Sequence, residues 1–541
     1  MIGSDSGLLG VGVWMLGVCL AAISGLAQDA ALPATTADEA SNSTSITNSF
    51  SLSGTVLNSV TGEPIRRAVV QVSGQNGRIA LTDAGGHFVL EGLAEGDVHL
   101  AAVKPGFFPE VLNTPLARAR KDAPAVVLRL TPSAVISGRV STKEERPLEG
   151  FQVRVFSRQN DAGRLVWADQ PSQGRTNEEG EFRLAGLPAG TYYVAVDQSQ
   201  GTILGQKGVV NAREQVFPRM FYPGVSQMSA AAPIEVAPGE EATANFSLSA
   251  EPVYVVSGSV SGQTAGVATL TLERKAGDDA DFKQTLTIQS GKFEAKVPAG
   301  SYGVSGQTMD GKDLVTPGAV VIRADEANLE LPLSPAVVIP VDVVKEQGGA
   351  GTERRVATPG DIPGLIVELD PVSEFQRGVN VWNGQAGGFP GIRAGTYRLE
   401  VQTPAGWWVK SAQSGGVDLL SEELTVVEGE HPGPIEVRVR DGAGTVSGTV
   451  TPAADPLQVL VLLVQPHGNK GFVRAAAVIE GTFSLEGVAP GDYAILALEG
   501  AEGLEYADPE VLEPYLSEAE PISVPARGTV TVNLGITAVG R

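Results

Sequence analysis

Four histidines are the first residues to weigh for chemistry: His87, His99, His431 and His467. None opens a His-x-x-Glu or His-Glu-x-x-His run, so the paired ligands of a zinc peptidase are missing. His87 and His99 flank a hairpin and could face each other across it; two polar positions on an exposed face is the simpler expectation. No Gly-x-Ser-x-Gly elbow and no Walker loop occurs. The one cysteine, Cys19, lies in an apolar N-terminal stretch, which leaves no cysteine nucleophile, thiolate site or disulfide in the chain after it. The acids Glu499, Glu502, Glu505, Asp508, Glu510, Glu513, Glu518 and Glu520 lack the Asp-x-Asp-x-Asp-Gly spacing of a calcium loop and read as a solvated charged loop. The reading is therefore of a chain that is not an enzyme, with no cofactor and no metal site.

Aromatic residues are the remaining lead, because sugars stack on flat open rings and protein interfaces are often anchored by Trp or Tyr. Trp382, Trp407 and Trp408 lie close together in the sequence. Adjacent tryptophans on a strand point to opposite faces, so one of Trp407 and Trp408 is expected to face outward unless a neighbouring domain covers it. A second aromatic stretch runs Phe217-Pro218-Arg219-Met220-Phe221-Tyr222-Pro223-Gly224. Trp382, Trp407, Trp408, Phe221 and Tyr222 are the candidate ligand-binding residues; packing between consecutive domains is the competing expectation.

A repeat along the chain places these residues. Phe88, Phe182, Phe293, Phe389 and Phe483 each follow a glycine turn, at separations of 94, 111, 96 and 94 residues. A second glycine turn and a tyrosine-led strand follow, as in Gly180-Glu181-Phe182 to Gly190-Thr191-Tyr192 and Gly481-Thr482-Phe483 to Gly491-Asp492-Tyr493. Four units open on Ser-Gly-x-Val, at Ser53, Ser137, Ser257 and Ser447; the fourth unit has lost this mark and should begin near Ala336. Asn or Asp with Gly closes the turns, and alternating apolar residues mark half-buried strands. Strand-length runs with frequent turns favour sandwiches over βαβ units. Convincing helices are scarce; Asp508-Pro509 could cap a short one that Pro514 ends.

The expected architecture is all-β: about five tandem transthyretin/Ig-like antiparallel β-sandwich domains after a signal peptide. The limits are 1–27 for the signal peptide, 28–49 for a disordered spacer, then 50–131, 132–250, 251–334, 335–441 and 442–541. Residues Leu8 to Leu26 are apolar or small, and Gly25-Leu26-Ala27 offers a cleavage site, although the first seven residues carry Asp5 and no Lys or Arg. An uncleaved membrane anchor stays open. A net charge of −23 with no basic stripe argues against a nucleic-acid partner.

The run Ser-Gly-x-Val, turn-Gly-x-Phe, Gly-Leu-Pro-x-Gly-x-Tyr resembles the carboxypeptidase regulatory-like domain, a prealbumin-like accessory sandwich grouped with carbohydrate-binding-like and Cna-B-like folds. That resemblance implies no peptidase activity. The Cna-B comparison implies an internal Lys–Asn isopeptide bond, but the closing strand of the fourth unit has no Asn and the opening strand of the fifth has no Lys, so none is expected. The functional expectation is an exported, non-catalytic binding or structural protein at the cell envelope or outside it. Its partner is a polysaccharide or, for an adhesive or spacer stalk, a surface protein; an accessory role in a peptidase system is the remote alternative.

Overall fold

The computed structural model describes residues 50–541 apart from 74–77, 110–115, 199–213, 263–265, 277–278, 312, 317, 347–354, 357–361, 373–379, 383–386, 393, 428–429, 431, 452–458, 466–472, 480 and 540–541. The expected signal peptide and spacer, Cys19, His431 and His467 lie outside the described residues. The described chain is built of strands, with helix limited to short turns such as Pro509–Leu512. Asp508 caps that turn by accepting from the backbone N–H of Glu510 at 2.9 Å.

Apolar cores succeed each other along the chain. They are built on Leu52 to Leu130, Ala134 to Leu248, Val256 to Leu333, Ile339 to Val439 and Val446 to Leu534. In the first, Val70 and Val72 of Val69–Ser73 face Leu52, Phe88 and Leu90 of the other sheet, as period-two alternation requires. The sheets are mostly antiparallel, and one parallel pairing recurs in every unit. The opening strand of each unit pairs parallel with its closing strand, for example Phe50–Asn58 with Val126–Pro132 and Gly444–Thr451 with Thr529–Ala538. The same holds for Ala134–Thr142, Glu251–Gly262 and Val337–Glu346.

This pairing explains the glycine of Ser-Gly-x-Val. A Cβ on Gly54, Gly138, Gly258 or Gly448 would lie 2.2, 1.9, 1.8 or 1.8 Å from the closing-strand carbonyl oxygens of Val126, Ala244, Leu329 and Val532. Across the other edge of the strand stand the repeat phenylalanines: Gly54 faces Phe88, Gly138 faces Phe182, Gly258 faces Phe293 and Gly448 faces Phe483. The fourth unit opens on Val337–Glu346 and carries Ile339 opposite Phe389. Its Gly388 lies on the antiparallel neighbour beside Phe389, where a Cβ would meet the Ile339 carbonyl oxygen at 2.1 Å.

The turns follow the same economy. The Asp83 carboxylate accepts from the N–H of Gly85 and His87, and the Asn177 side chain accepts from Glu179 and Glu181. Gly86 and Gly180 then take left-handed backbone, both at φ 74°. The tyrosine that opens the next strand donates to the carbonyl four residues earlier: Tyr192 to Pro188, Tyr302 to Pro298 and Tyr493 to Ala489, at 2.9, 2.6 and 2.8 Å. A buried phenol is thereby satisfied at the corner where the chain changes sheets.

Gly258→Ala or Gly448→Ala is expected to lower stability by about 3 kcal/mol, since backbone on the facing strand must move. Thermal unfolding of the variant should show a lowered transition; an unchanged melt would contradict the steric account.

Candidate functional site

The candidate ligand-binding aromatics are placed by these sandwiches, and none stands open. Trp382 is buried in the core of the fourth unit beside Val367 and Leu369, so its ring has no face for a sugar. Phe221 is fully buried. The segment that carries it folds over the second unit: Phe217 packs edge-on against Phe151 at 5.5 Å, Phe221 against Phe156 at 6.4 Å and Tyr222 against Phe246 at 5.9 Å. Phe221 and Met228 thus cover an outer face lined by Phe156, Trp167 and Ala195. Both side chains are spent on packing. Among the described residues no Phe, Tyr or Trp is in the exposed class.

Trp407 and Trp408 lie on Trp407–Ser414 and are both half-buried. Trp407 packs on the fourth core, with the Lys345 ammonium 4.9 Å from its ring centre. Its carbonyl accepts from the Thr403 hydroxyl and stands 3.2 Å from where a Cβ on Gly487, in the fifth unit, would lie. The indole N–H of Trp408 is buried without an acceptor, as are those of Trp167 and Trp382. The pair therefore sits at the joint between the fourth and fifth units. His87 and His99 are not brought together: His87 pairs with Thr55 in one sheet and His99 with Ser73 in the other. His87 instead contacts the Thr55 hydroxyl at 3.0 Å. Among the described residues, no group of three or more His, Cys, Asp or Glu is arranged to hold a metal ion. Asn245 accepts from the backbone N–H of Arg139, and Asn533 accepts from the Thr449 hydroxyl.

What the geometry does build is a series of joints. Strand Val126–Pro132 is followed after one residue by Ala134–Thr142, and the N–H of that residue, Ser133, donates to Gly106. Gln215–Val216 leaves the second unit and pairs with Glu251–Gly262 of the third, while Lys296 pairs with Glu214 at 2.7 Å. One residue, Ala336, separates Glu326–Pro335 from Val337–Glu346 and donates to Asp313. Two residues separate Ile435–Asp441 from Gly444–Thr451, and both donate to Gly406.

Residues 51–129 and 135–249 match the family model of the carboxypeptidase regulatory-like domain. The first two sandwiches are carboxypeptidase regulatory-like domains. No curated protein matches the chain. Among solved structures, the Bacillus anthracis TIE protein is 16% identical with a TM-score of 0.16, over 53% of this chain and 51% of its own, so this chain spans about half its length. A streptococcal ancillary pilin is 9% identical with a TM-score of 0.19, over 52% of this chain and 99% of its own. The full-length RrgB pilus protein from Streptococcus pneumoniae is 9% identical with a TM-score of 0.16, over 76% and 99%. At these scores the likeness carries no argument about this chain.

The joint after the second regulatory-like domain carries a concentrated charge network. Arg274 is buried and holds Asp281 through Nε at 2.9 Å and Glu251 through Nη1 at 2.6 Å. Burial alone would ease its proton off, but the two carboxylates outweigh that and raise its pKa. The backbone carbonyl of Asp281 also accepts from Arg219, which pairs with Asp197 of the second domain at 2.6 Å. Sequence reasoning missed this network, because Arg274, Asp281 and Arg219 share no spacing signal.

Arg274→Ala leaves two carboxylates without their cation and is expected to cost about 3 kcal/mol. Denaturant unfolding of the third unit checks this; a loss below about 1 kcal/mol would mean the network is already screened by solvent. Trp408→Ala, tested by the same unfolding, should destabilise by about 2 kcal/mol through lost packing.

Proposed function

We infer that this chain is an exported, non-catalytic scaffold of five sandwiches with limits 50–131, 132–250, 251–334, 335–441 and 442–541. Its work is to hold surfaces in fixed relation at the cell envelope. The observation that carries the reading is the joints. Successive closing and opening strands are separated by one or two residues, and hydrogen bonds or an added strand pin most of them. A chain meant for free articulation would use longer Gly/Ser or polar connections. Two of the sandwiches belong to an accessory domain family, which supports the non-catalytic reading, and the apolar stretch Leu8 to Leu26 supports export. The acid excess fits a soluble surface outside the cell.

Carbohydrate as the ligand class is the second reading. The residues left for it are the half-buried Trp407, Trp408 and Tyr222. Affinity electrophoresis through gels containing a panel of polysaccharides separates the two. The scaffold reading expects mobility that no glycan changes, in the wild type and in Trp408→Ala alike. Retardation of the wild type that Trp408→Ala abolishes, with the fold kept, would replace it by a sugar site. Stretching single molecules between their ends offers a direct check. Unfolding should come in discrete steps, each releasing roughly 280–400 Å of chain for sandwiches of about 82–119 residues. A smooth extension without steps would count against stiff, independently cored units.

A further inference from the structure

One contact joins residues 344 apart in sequence. The hairpin between Gln152–Asp161 and Arg164–Arg175, in the second sandwich, ends on Ala162 and Gly163 at φ 47° and 86°. This two-residue turn of left-handed backbone suits a tight hairpin. Its tip rests on the fifth sandwich. Asn160 donates through Nδ2 to the Leu504 carbonyl at 2.6 Å, and the Gly163 carbonyl accepts from the Ala507 N–H at 3.0 Å. Asn160 also braces the turn from within, accepting the Gly163 N–H at 2.8 Å. Gly163 fits because it lacks a Cβ, which would stand 2.5 Å from the Tyr506 ring and 2.6 Å from the Ala507 nitrogen. Tyr506 is itself buried, in the small core that Leu462, Leu496, Leu498 and Leu512 form on the outer face of the fifth sandwich.

The charges around this tip come from three sandwiches. The hairpin brings Asp161 and Arg164. The fourth sandwich brings Glu368 and Asp370 from Ile366–Pro371, Arg398 and Glu400 from Gly395–Gln402, and Glu423 beyond them. The fifth brings Tyr506 and Asp508, with Glu505 exposed between Leu504 and Tyr506. Glu368 and Glu400 are direct cross-strand neighbours, so two like charges already face each other before Asp161 arrives. Arg398 is drawn to Glu423 at 3.3 Å, and its Nε is buried without an acceptor, as Asp370 Oδ1 is without a donor.

We propose that the Asn160–Gly163 tip is a releasable clasp between the second and fifth sandwiches, and that proton uptake by the carboxylates gathered at it favours the closed state. Closing brings Asp161 toward carboxylates that have too few cations between them, and a proton on any one relieves the repulsion. The titration directions agree. Burial first, then Glu368, Asp370 and Asp161, raise Glu400; burial and Asp370 raise Glu368; burial and Asp161 raise Asp370. Glu400 keeps an exposed surface, so added salt should weaken its share. Since the closed-state values lie above the ordinary carboxylate range, closure binds protons. Its advantage is complete below the ordinary range and is lost as pH rises through the raised values.

The test places spin labels at Lys143→Cys and Glu518→Cys in a full-length Cys19→Ser chain and measures their distance distribution. At about pH 5 one short population is expected. Toward about pH 8 a longer population should grow at least twofold, and Glu400→Gln should keep the short one. Gly163→Ala should shift the distribution to the longer distance at both pH values, with an unchanged thermal melt reporting that the sandwiches are intact. If that variant fails to fold, Asn160→Ala removes the Leu504 contact without adding bulk and should lengthen the distance in the same direction. An unchanged distribution in the folded tip variants overturns the clasp. A distribution that responds to the tip variants but not to pH overturns the proton control.

Discussion

The parallel pairing of first and last strands in each unit is the constraint on which the rest depends. Both strands run the same way in one sheet, so the chain enters a sandwich at one end and leaves it at the other. An antiparallel closure would bring entry and exit to the same end, and consecutive units could then be joined only by a long connection. Parallel closure lets a closing strand become the next opening strand after one or two residues. It also sets the sequence requirement. The closing-strand carbonyl passes so near the opening strand that a side chain at Gly54, Gly138, Gly258 or Gly448 has no room. A phenylalanine ring takes up space from the other edge. The fourth unit departs from this: Ile339 stands opposite Phe389 where the other units carry the glycine, and its Gly388 lies on the antiparallel Phe389 strand.

With the cores alike, the units differ in what covers their outer faces. In the second, the segment around Phe221 and Met228 lies over Phe156, Trp167 and Ala195. In the fifth, the turns from Ala501 to Leu516 lie over Leu462, Leu496 and Leu498. Both covers belong to the stretch of chain that follows the tyrosine-led strand. The first unit leaves Ile79 and Leu81 68% and 65% exposed on the edge strand paired with Val69–Ser73. The acids of the fifth cover, Glu502, Glu505, Asp508, Glu510 and Glu513, stay on the solvent side while Tyr506 and Leu512 turn inward. Charge there keeps an apolar lid soluble.

Much of the fold is legible in the residues because each repeat mark reports a local demand. Asn177 and Gly180 announce a turn that needs side-chain acceptors and left-handed backbone; Tyr192 announces a corner where a phenol finds a carbonyl four residues back. The aromatic candidates were less legible. Composition distinguishes neither a ring that stacks on a ligand from one that seals an outer face, as Phe221 does, nor the two roles of Trp407 and Trp408 at a joint. Arg274 and the tip at Gly163 had no signal at all, since their partners are brought near only by the assembled sandwiches.

The contact at Gly163 in turn constrains the joints. In a freely jointed chain of this length, bringing residues 344 apart together costs on the order of 6 kcal/mol in closure entropy. Two hydrogen bonds return about 0.5–1.5 kcal/mol each, and one glycine–tyrosine contact adds little more. Crowded carboxylates oppose the approach further. The contact can persist only if most of that entropy has already been removed, by joints that hold the third and fourth sandwiches in place. The strand added by Gln215–Val216, the pair Lys296–Glu214 and the Arg274 network stiffen the joint after the second sandwich. Gly406, with the Arg527–Asp441 pair at 2.7 Å, stiffens the one before the fifth. Joint stiffness and long-range contact are then one property seen at two scales: loosening any of these joints should open a clasp in which it takes no part.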